Sequence, residues 1–154
     1  MRNKWNFELL SWLFISIFCI LICVPIYLKS GWLYPFYFSN IVSIVVFLTF
    51  SRIIFLLANT PYARVKWLRM LLVFLPIPLL LYHVDSLYDF QRYVDEKGTI
   101  SFFSGSNDMA DYDFGRFIKY QFIFFCTGAI VTILLMPVRM IISFWRTTNT
   151  PDKV

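Results

Sequence analysis

Four long apolar stretches constrain the fold of this chain more than any other feature. They cover approximately residues 9–28, 34–52, 67–84 and 117–138, and each is close to the roughly 20 residues that a helix needs to cross the hydrocarbon core of a bilayer. A segment surrounded by lipid must satisfy its own backbone hydrogen bonds, which a helix does. The sequence therefore predicts an all-α, polytopic membrane protein with four transmembrane helices.

Composition excludes the other broad classes of protein. The chain has 154 residues, of which 59% are hydrophobic and 15% are charged, whereas a soluble domain carries roughly 25% charged residues. A soluble fold of this size leaves too much surface in water to hide so many apolar side chains. We therefore expect a single transmembrane domain over residues 1–154, in contact with membrane lipids.

Lysine and arginine are concentrated on one side of the predicted membrane. They lie before the first stretch, between the second and third, and after the fourth: Arg2, Lys4, Arg52, Arg64, Lys66, Arg69, Arg139, Arg146 and Lys153. Cytoplasmic flanks carry the excess of basic residues, so both termini are predicted to be cytoplasmic. This distribution accounts for the net charge of +5 without a nucleic-acid partner. The short, loop-poor chain favours a bacterial inner (cytoplasmic) membrane.

The first stretch has two interpretations. Arg2 and Lys4 precede an apolar run, as they do in a cleaved signal peptide. However, no alanine occurs before Ala58, so no A-x-A cleavage site lies near the run. We expect a retained helix.

Two of the stretches continue beyond an arginine. Arg52 is followed by IIFLLA and Arg139 by MIISFW. Either the helix continues while the arginine extends to the headgroups, or the chain turns and lies in the interface. The sequence favours a continued helix after Arg139, because Arg146 offers a second anchor, and leaves both interpretations open after Arg52.

The segment 85–115 is the only sizeable polar part of the chain, and it is predicted to be extracytoplasmic and acidic. Seven acidic residues oppose two basic ones there. Leu87, Phe90 and Val94 lie at i, i+3 and i+7, and Gly98 follows as a C-cap. This pattern predicts a short amphipathic helix that extends the third span.

The remainder of the acidic segment carries weaker signals. TISFF is compatible with a short strand or with a position on the bilayer surface, and SGSND is typical of a turn. Asp108, Asp111 and Asp113 offer carboxylates for a cation, but their spacing is not that of an EF-hand. A solvated acidic loop is the favoured interpretation, so we expect no metal.

The sequence does not indicate an enzyme. Catalysis needs nucleophiles, bases or metal ligands that converge, and the chain has one histidine and no recognisable catalytic motif. Cys19 and Cys23 lie four residues apart, but no second pair completes a site, and Cys126 is similarly isolated. Free cysteines in packed helices act as small hydrophobic residues. We expect no cofactor.

A small transporter or channel component is the alternative function. Coupled transporters place ionisable groups near the membrane centre, and the predicted spans have no Asp, Glu or His in their central parts. Pro76 and Pro78 predict a kink in the third span, and Thr127 and Thr132 are the polar residues expected opposite it. A polar path at this kink would support transport.

Small residues in the spans indicate where helices approach closely. Ser39 with Ser43, and Gly128 with Thr132, each form a small-xxx-small pair. These four residues are the candidate helix-packing positions. They serve the chain's own bundle or a contact with another membrane protein or a second copy.

The leading hypothesis is a non-enzymatic membrane protein that acts through protein–protein contacts, as a small subunit of an envelope complex or as a protector against a membrane-inserting toxin. The predicted topology is similar to that of immunity proteins of pore-forming bacteriocins, with four spans, both ends inside and few polar groups within the spans. This similarity, which is one of topology alone, implies candidate partner contacts at one membrane face: His83, Asp85, Asp89 and Arg116. A third hypothesis assigns anionic lipid headgroups to three basic residues: Arg64, Lys66 and Arg69.

Overall fold

The computed structural model describes residues 2–57, 66–103 and 109–149, and these residues are almost entirely helical. Helices make up 95% of them, and none of them forms a strand. The long helices are α1 (Arg2–Ser30), α2 (Tyr37–Leu56), α3 (Lys66–Phe74), α4 (Pro76–Lys97) and α5 (Met109–Asn149), with 3₁₀ turns at Gly31–Leu33 and Thr99–Phe102. The predicted all-α class is confirmed.

Within these described ranges, four helical segments are long and apolar enough to cross a membrane. They are Asn6–Leu33, Tyr37–Leu56, Met70–Lys97 and Met109–Trp145, so each contains most of one predicted span. The end of the bundle where α1 begins and α2 ends is called the basic end below. The opposite end, where α4 ends, is called the acidic end.

Helix α5 is the centre of the bundle. Helices α2, α3 and α4 all pack on it, whereas α1 packs mainly on α2. With 41 residues, α5 is about 60 Å long, which is twice the hydrocarbon thickness of a bilayer. Its two ends therefore project beyond the apolar part of the bundle.

The third span is interrupted at Leu75, as Pro76 and Pro78 predict. The Leu75 N–H still donates to the Leu71 carbonyl at 2.8 Å, and α4 then begins at Pro76. Proline has no N–H to donate to the preceding turn, but it fits the first turn of a new helix. The third span is therefore built from two helices, α3 with 9 residues and α4 with 22, which meet at Leu75.

Helices α2 and α5 both continue past an arginine near their C-terminal ends. Helix α2 runs through Arg52 to Leu56, and α5 runs through Arg139 to Asn149. The predicted continuation after Arg139 is confirmed, and the open question at Arg52 is resolved in favour of a helix. The Arg52 side chain is only 8% exposed, and Arg139 Nε donates to the Ile54 carbonyl at 2.9 Å, so both side chains make contacts within the bundle.

The amphipathic extension of the third span is confirmed. Helix α4 reaches Lys97, and Gly98 caps it with φ 73° while its N–H donates to the Val94 carbonyl at 2.9 Å. Only glycine adopts this conformation without strain. Phe90 and Val94 are buried.

The strand predicted as one alternative for TISFF was wrong. Thr99–Phe102 form a 3₁₀ turn, and a position of this turn on the bilayer surface stays a prediction. Phe102 is buried where it stacks parallel to Tyr93, with ring centroids 5.7 Å apart, and Phe103 is buried beside Phe114. SGSND, and with it Asp108, lies outside the described residues.

Two apolar clusters fill the interior. At the acidic end, Phe90 stacks on Phe122 with ring centroids 4.0 Å apart. This acidic-end cluster comprises Tyr34, Phe36, Phe90, Tyr93, Phe102 and Phe122. Nearer the basic end, α2, α3 and α5 meet in a second cluster whose members are 7% exposed or less: Phe50, Ile53, Leu57, Leu72, Ile133, Met136 and Met140.

Candidate functional site: polar groups within the bundle

A buried pair of amides joins α2 to α5 between the two apolar clusters. Asn40 Nδ2 donates to Gln121 Oε1 at 3.2 Å, and Gln121 Nε2 donates to Asn40 Oδ1 at 2.8 Å. Asn40 is fully buried and Gln121 is 8% exposed. Each amide supplies what the other needs, so neither leaves these groups unpaired in an apolar environment. Sequence reasoning identified neither the pairing nor Gln121.

Hydroxyl groups join α2 to α4 at the same level. Ser39 Oγ is hydrogen-bonded to the Tyr82 hydroxyl at 3.1 Å, and Ser86 Oγ donates to Ser39 Oγ at 3.4 Å. Ser43, one turn further along α2, donates to the Ser39 carbonyl at 2.7 Å. Together with the amide pair, these side chains form a polar layer that crosses three helices.

His83 is part of this polar layer. Its side chain is fully buried, and Nδ1 donates to the Leu79 carbonyl at 2.7 Å. Nε2 is buried and has no hydrogen-bond partner among the described residues. The His83 carbonyl accepts a hydrogen bond from the Cys126 thiol at 3.4 Å. The imidazole therefore lies inside the bundle and not at its surface.

A buried ion pair links α1 to α2 at the basic end. Arg52 Nη2 lies 2.7 Å from Glu8 Oε1, and both side chains are 8% exposed. The Trp12 indole N–H donates to the same carboxylate oxygen at 3.2 Å, and the Arg52 guanidinium lies 6.0 Å from the Trp12 ring. Two opposite charges thus share one enclosed site, in which each lowers the cost of burying the other.

A second ion pair holds α1 at the acidic end. Lys29 Nζ lies 2.9 Å from Asp111 Oδ1 at the start of α5, and the lysine side chain is 41% exposed. The same ammonium lies 5.0 Å from the centre of the Phe114 ring. Helix α1 is therefore attached by opposite charges near both of its ends.

The four candidate partner contacts lie in different environments. His83 is buried as described, whereas Asp85, Asp89 and Arg116 are exposed. The Arg116 guanidinium lies 6.0 Å from the Tyr112 ring. A partner contact for any of them stays a prediction.

The four candidate packing positions all lie in or beside the helix interfaces. A Cβ on Gly128 would lie 2.9 Å from the Phe47 ring of α2, so this ring occupies the space that a larger residue would need. Ser39 bridges to α4 and Ser43 is fully buried. Thr132 is buried, but its hydroxyl donates to the Ala129 carbonyl of its own helix.

The surroundings of the proline kink are apolar where they are described. A surface groove of about 500 Å³ is lined by Trp67, Met70, Leu71, Phe74, Leu75 and Pro78. Thr127, expected to be opposite, is exposed and donates to the Ile123 carbonyl at 2.6 Å. The described part of the kink thus presents apolar side chains.

The remaining candidates are only partly described. Arg64 lies outside the described residues, and Lys66 and Arg69 belong to α3 without a described side-chain position. Asp111 pairs with Lys29 as above, and Asp113 is exposed. No group of three potential metal ligands occurs within residues 2–57, 66–103 and 109–149.

These features define a helical bundle with four helices long enough to span a membrane, with a polar layer between two apolar clusters. No protein-family model, no curated protein and no solved structure matches the chain.

Proposed function

We propose that this chain is a non-enzymatic integral membrane protein that acts through contacts with another protein, as a small subunit of an envelope complex or as an immunity-type protector against a membrane-inserting toxin. The observation that carries the proposal is the contrast between a packed interior and a large apolar exterior. Only 11% of the most apolar part of the first span is buried within the bundle.

The packed interior argues against a role in moving a solute. Seven side chains, each 7% exposed or less, fill the space between α2, α3 and α5 on the basic side of the polar layer. Transported ions and polar solutes need water or polar groups along their path. The protein's surfaces, and not its interior, are therefore the better candidates for function.

The acidic end offers a rigid surface for such a contact. The acidic-end cluster holds α4, the 3₁₀ turn and α5 together there. Asp85, Asp89 and Arg116 are exposed on α4 and α5. An ordered surface with charges of both signs suits a specific partner.

We further propose that both termini are cytoplasmic, in a bacterial inner membrane. The excess of Lys and Arg supports this orientation. Changing Arg64, Lys66 and Arg69 together to Gln should weaken it, which exposure of the termini to a membrane-impermeant label would show. Unchanged labelling would contradict the assignment of orientation to these residues.

Photo-crosslinking in native membranes tests the contact function. A benzophenone amino acid is placed at three exposed positions on different helices, Leu13, Tyr88 and Phe124, and at the buried Ile133 as a control. We expect one discrete cross-linked species from at least one exposed position and none from Ile133. Only diffuse lipid adducts at all three exposed positions would refute the proposal.

The polar layer is the observation that favours the second candidate, a small transporter or channel component. An ionisable residue inside a membrane bundle is itself a pointer to function, and His83 lies beside hydrogen-bonded amides and hydroxyls. Ion flux through the purified chain in liposomes, abolished by His83→Leu, would support this candidate and defeat the contact function.

A further inference from the structure

One face of α4 carries an exposed apolar stripe with the spacing of a helix-packing seam. Ile77, Leu81, Val84 and Tyr88 follow one another at intervals of four, three and four residues, and they are 60%, 67%, 52% and 62% exposed. Alternating three- and four-residue spacing keeps side chains aligned against a neighbouring helix. Within the described chain, this seam faces no helix.

A carboxylate lies within the same face. Asp85 lines a shallow groove of about 730 Å³ together with Leu80, Leu81, Tyr82, Val84 and Tyr88. It is exposed, and among the described residues no Lys or Arg nitrogen lies within 4.0 Å of it. The next residue, Ser86, bonds to Ser39 in the first turn of α2. Asp85 is thus level with the polar layer and the start of α2.

We infer that this stripe binds a transmembrane helix of a partner protein, and that the partner presents a lysine or arginine to Asp85 at the acidic end of the bundle. The inference rests on the proposed contact function and names the surface and chemistry of the contact. The apolar stripe supplies packing. The Asp85 carboxylate supplies selectivity, because a cation on the partner stabilises an unpaired carboxylate near lipid more than any other group does.

Charge distinguishes this occupant from the two other obvious ones. A second copy that used the same stripe symmetrically would bring two Asp85 carboxylates together, which is repulsive. Anionic lipid headgroups would be repelled in the same way. A partner helix with a basic residue can pack against the stripe and also pair with the Asp85 carboxylate.

The test uses the full chain in phosphatidylcholine vesicles and a synthetic probe. The probe is a leucine-rich transmembrane peptide of roughly 20 apolar residues with one lysine near its outer end, and a matched peptide carries glutamine instead. Energy transfer between labelled chain and labelled peptide reports binding. We expect the lysine peptide to bind about tenfold more tightly than the glutamine peptide, as an interhelical polar contact in a membrane implies.

Two variants test whether Asp85 causes the difference in binding between the two peptides. Asp85→Asn should abolish the preference for lysine, whereas Asp95→Asn, an exposed carboxylate further along α4, should retain it. Circular dichroism checks that both variants keep their helices. A third variant, Asp85→Glu, keeps a carboxylate at this position and should keep the preference for the lysine peptide. Equal binding of the two peptides, or a preference that survives Asp85→Asn, would overturn the inference.

Two further outcomes separate this inference from the proposed function. Self-association of labelled chains that Leu81→Ala abolishes would assign the stripe to a second copy and overturn the inference. A partner cross-linked from Leu13 or Phe124 but not from Tyr88 would also overturn it, while the contact function would stand. Absence of a cross-linked partner at all three positions would refute both.

Discussion

The Glu8–Arg52 pair gives the sharpest test of the structure. Its charged atoms are 2.7 Å apart and both side chains are 8% exposed, so water screens the pair weakly. Removing one member of a buried pair leaves an uncompensated charge and costs about 3–5 kcal/mol. Glu8→Met, which removes the carboxylate beside the Arg52 guanidinium, should destabilise the bundle by about that amount, and Arg52→Met should also destabilise it. The double variant, which buries no charge at this site, should recover most of the loss.

The measurement is helix content during denaturation by SDS in mixed micelles, for the two single variants, the double variant and the unchanged chain. The Arg92–Glu96 pair is the matched control, because its nitrogen–oxygen distance is 2.8 Å but its side chains are 63% and 57% exposed. Arg92→Met and Glu96→Met should show no resolvable coupling. If the Glu8/Arg52 double variant were no more stable in SDS than the less stable of the two single variants, the pairing argument would fail.

Three other changes probe different parts of the bundle. Gly128→Ala places a methyl group 2.9 Å from the Phe47 ring and should cost about 1–3 kcal/mol in the same SDS titration. Phe47→Leu should relieve this clash. An unchanged midpoint for Gly128→Ala would show that the helices are not in close contact. Asn40→Leu leaves the Gln121 amide unpaired and should cost about 1–2 kcal/mol. The double variant Asn40→Leu, Gln121→Leu should be more stable than Asn40→Leu alone. Equal losses of stability in the two variants would contradict the pairing. Gly98→Ala meets no atom within 4 Å but must hold φ at 73° and ψ at 166°, so it should cost about 1–3 kcal/mol through the backbone alone. Loss of the whole fold would show that more than the cap depends on Gly98.

Local pattern predicted the elements of this fold, because the signals involved lie close together in the chain. Apolar length alone indicates four helices, and the spacing of Phe90 and Val94 before Gly98 indicates the extension of α4. Pro76 and Pro78 mark the break in the third span for an equally local reason, since proline has no N–H to donate.

The polar sites depend on which helices are neighbours, and that information is not local. The sequence favours a headgroup anchor at Arg52 because nothing near it in the chain identifies Glu8 as its neighbour, and Glu8 lies just outside the first predicted span. One signal was available: antiparallel first and second spans bring residues 8 and 52 to the same end. Gln121 and Asn40 gave no such signal, because either amide alone is compatible with many partners.

The two attachments of α1 differ in how they respond to dissolved ions. Lys29–Asp111 is partly open to solvent, whereas Glu8–Arg52 is enclosed, and mobile ions weaken only the former appreciably. Raising ionic strength should thus weaken the charge contact of α1 at the acidic end by at most about 1 kcal/mol and leave the contact at the basic end unchanged. The fully buried Ile26 keeps α1 packed on the bundle at either salt concentration.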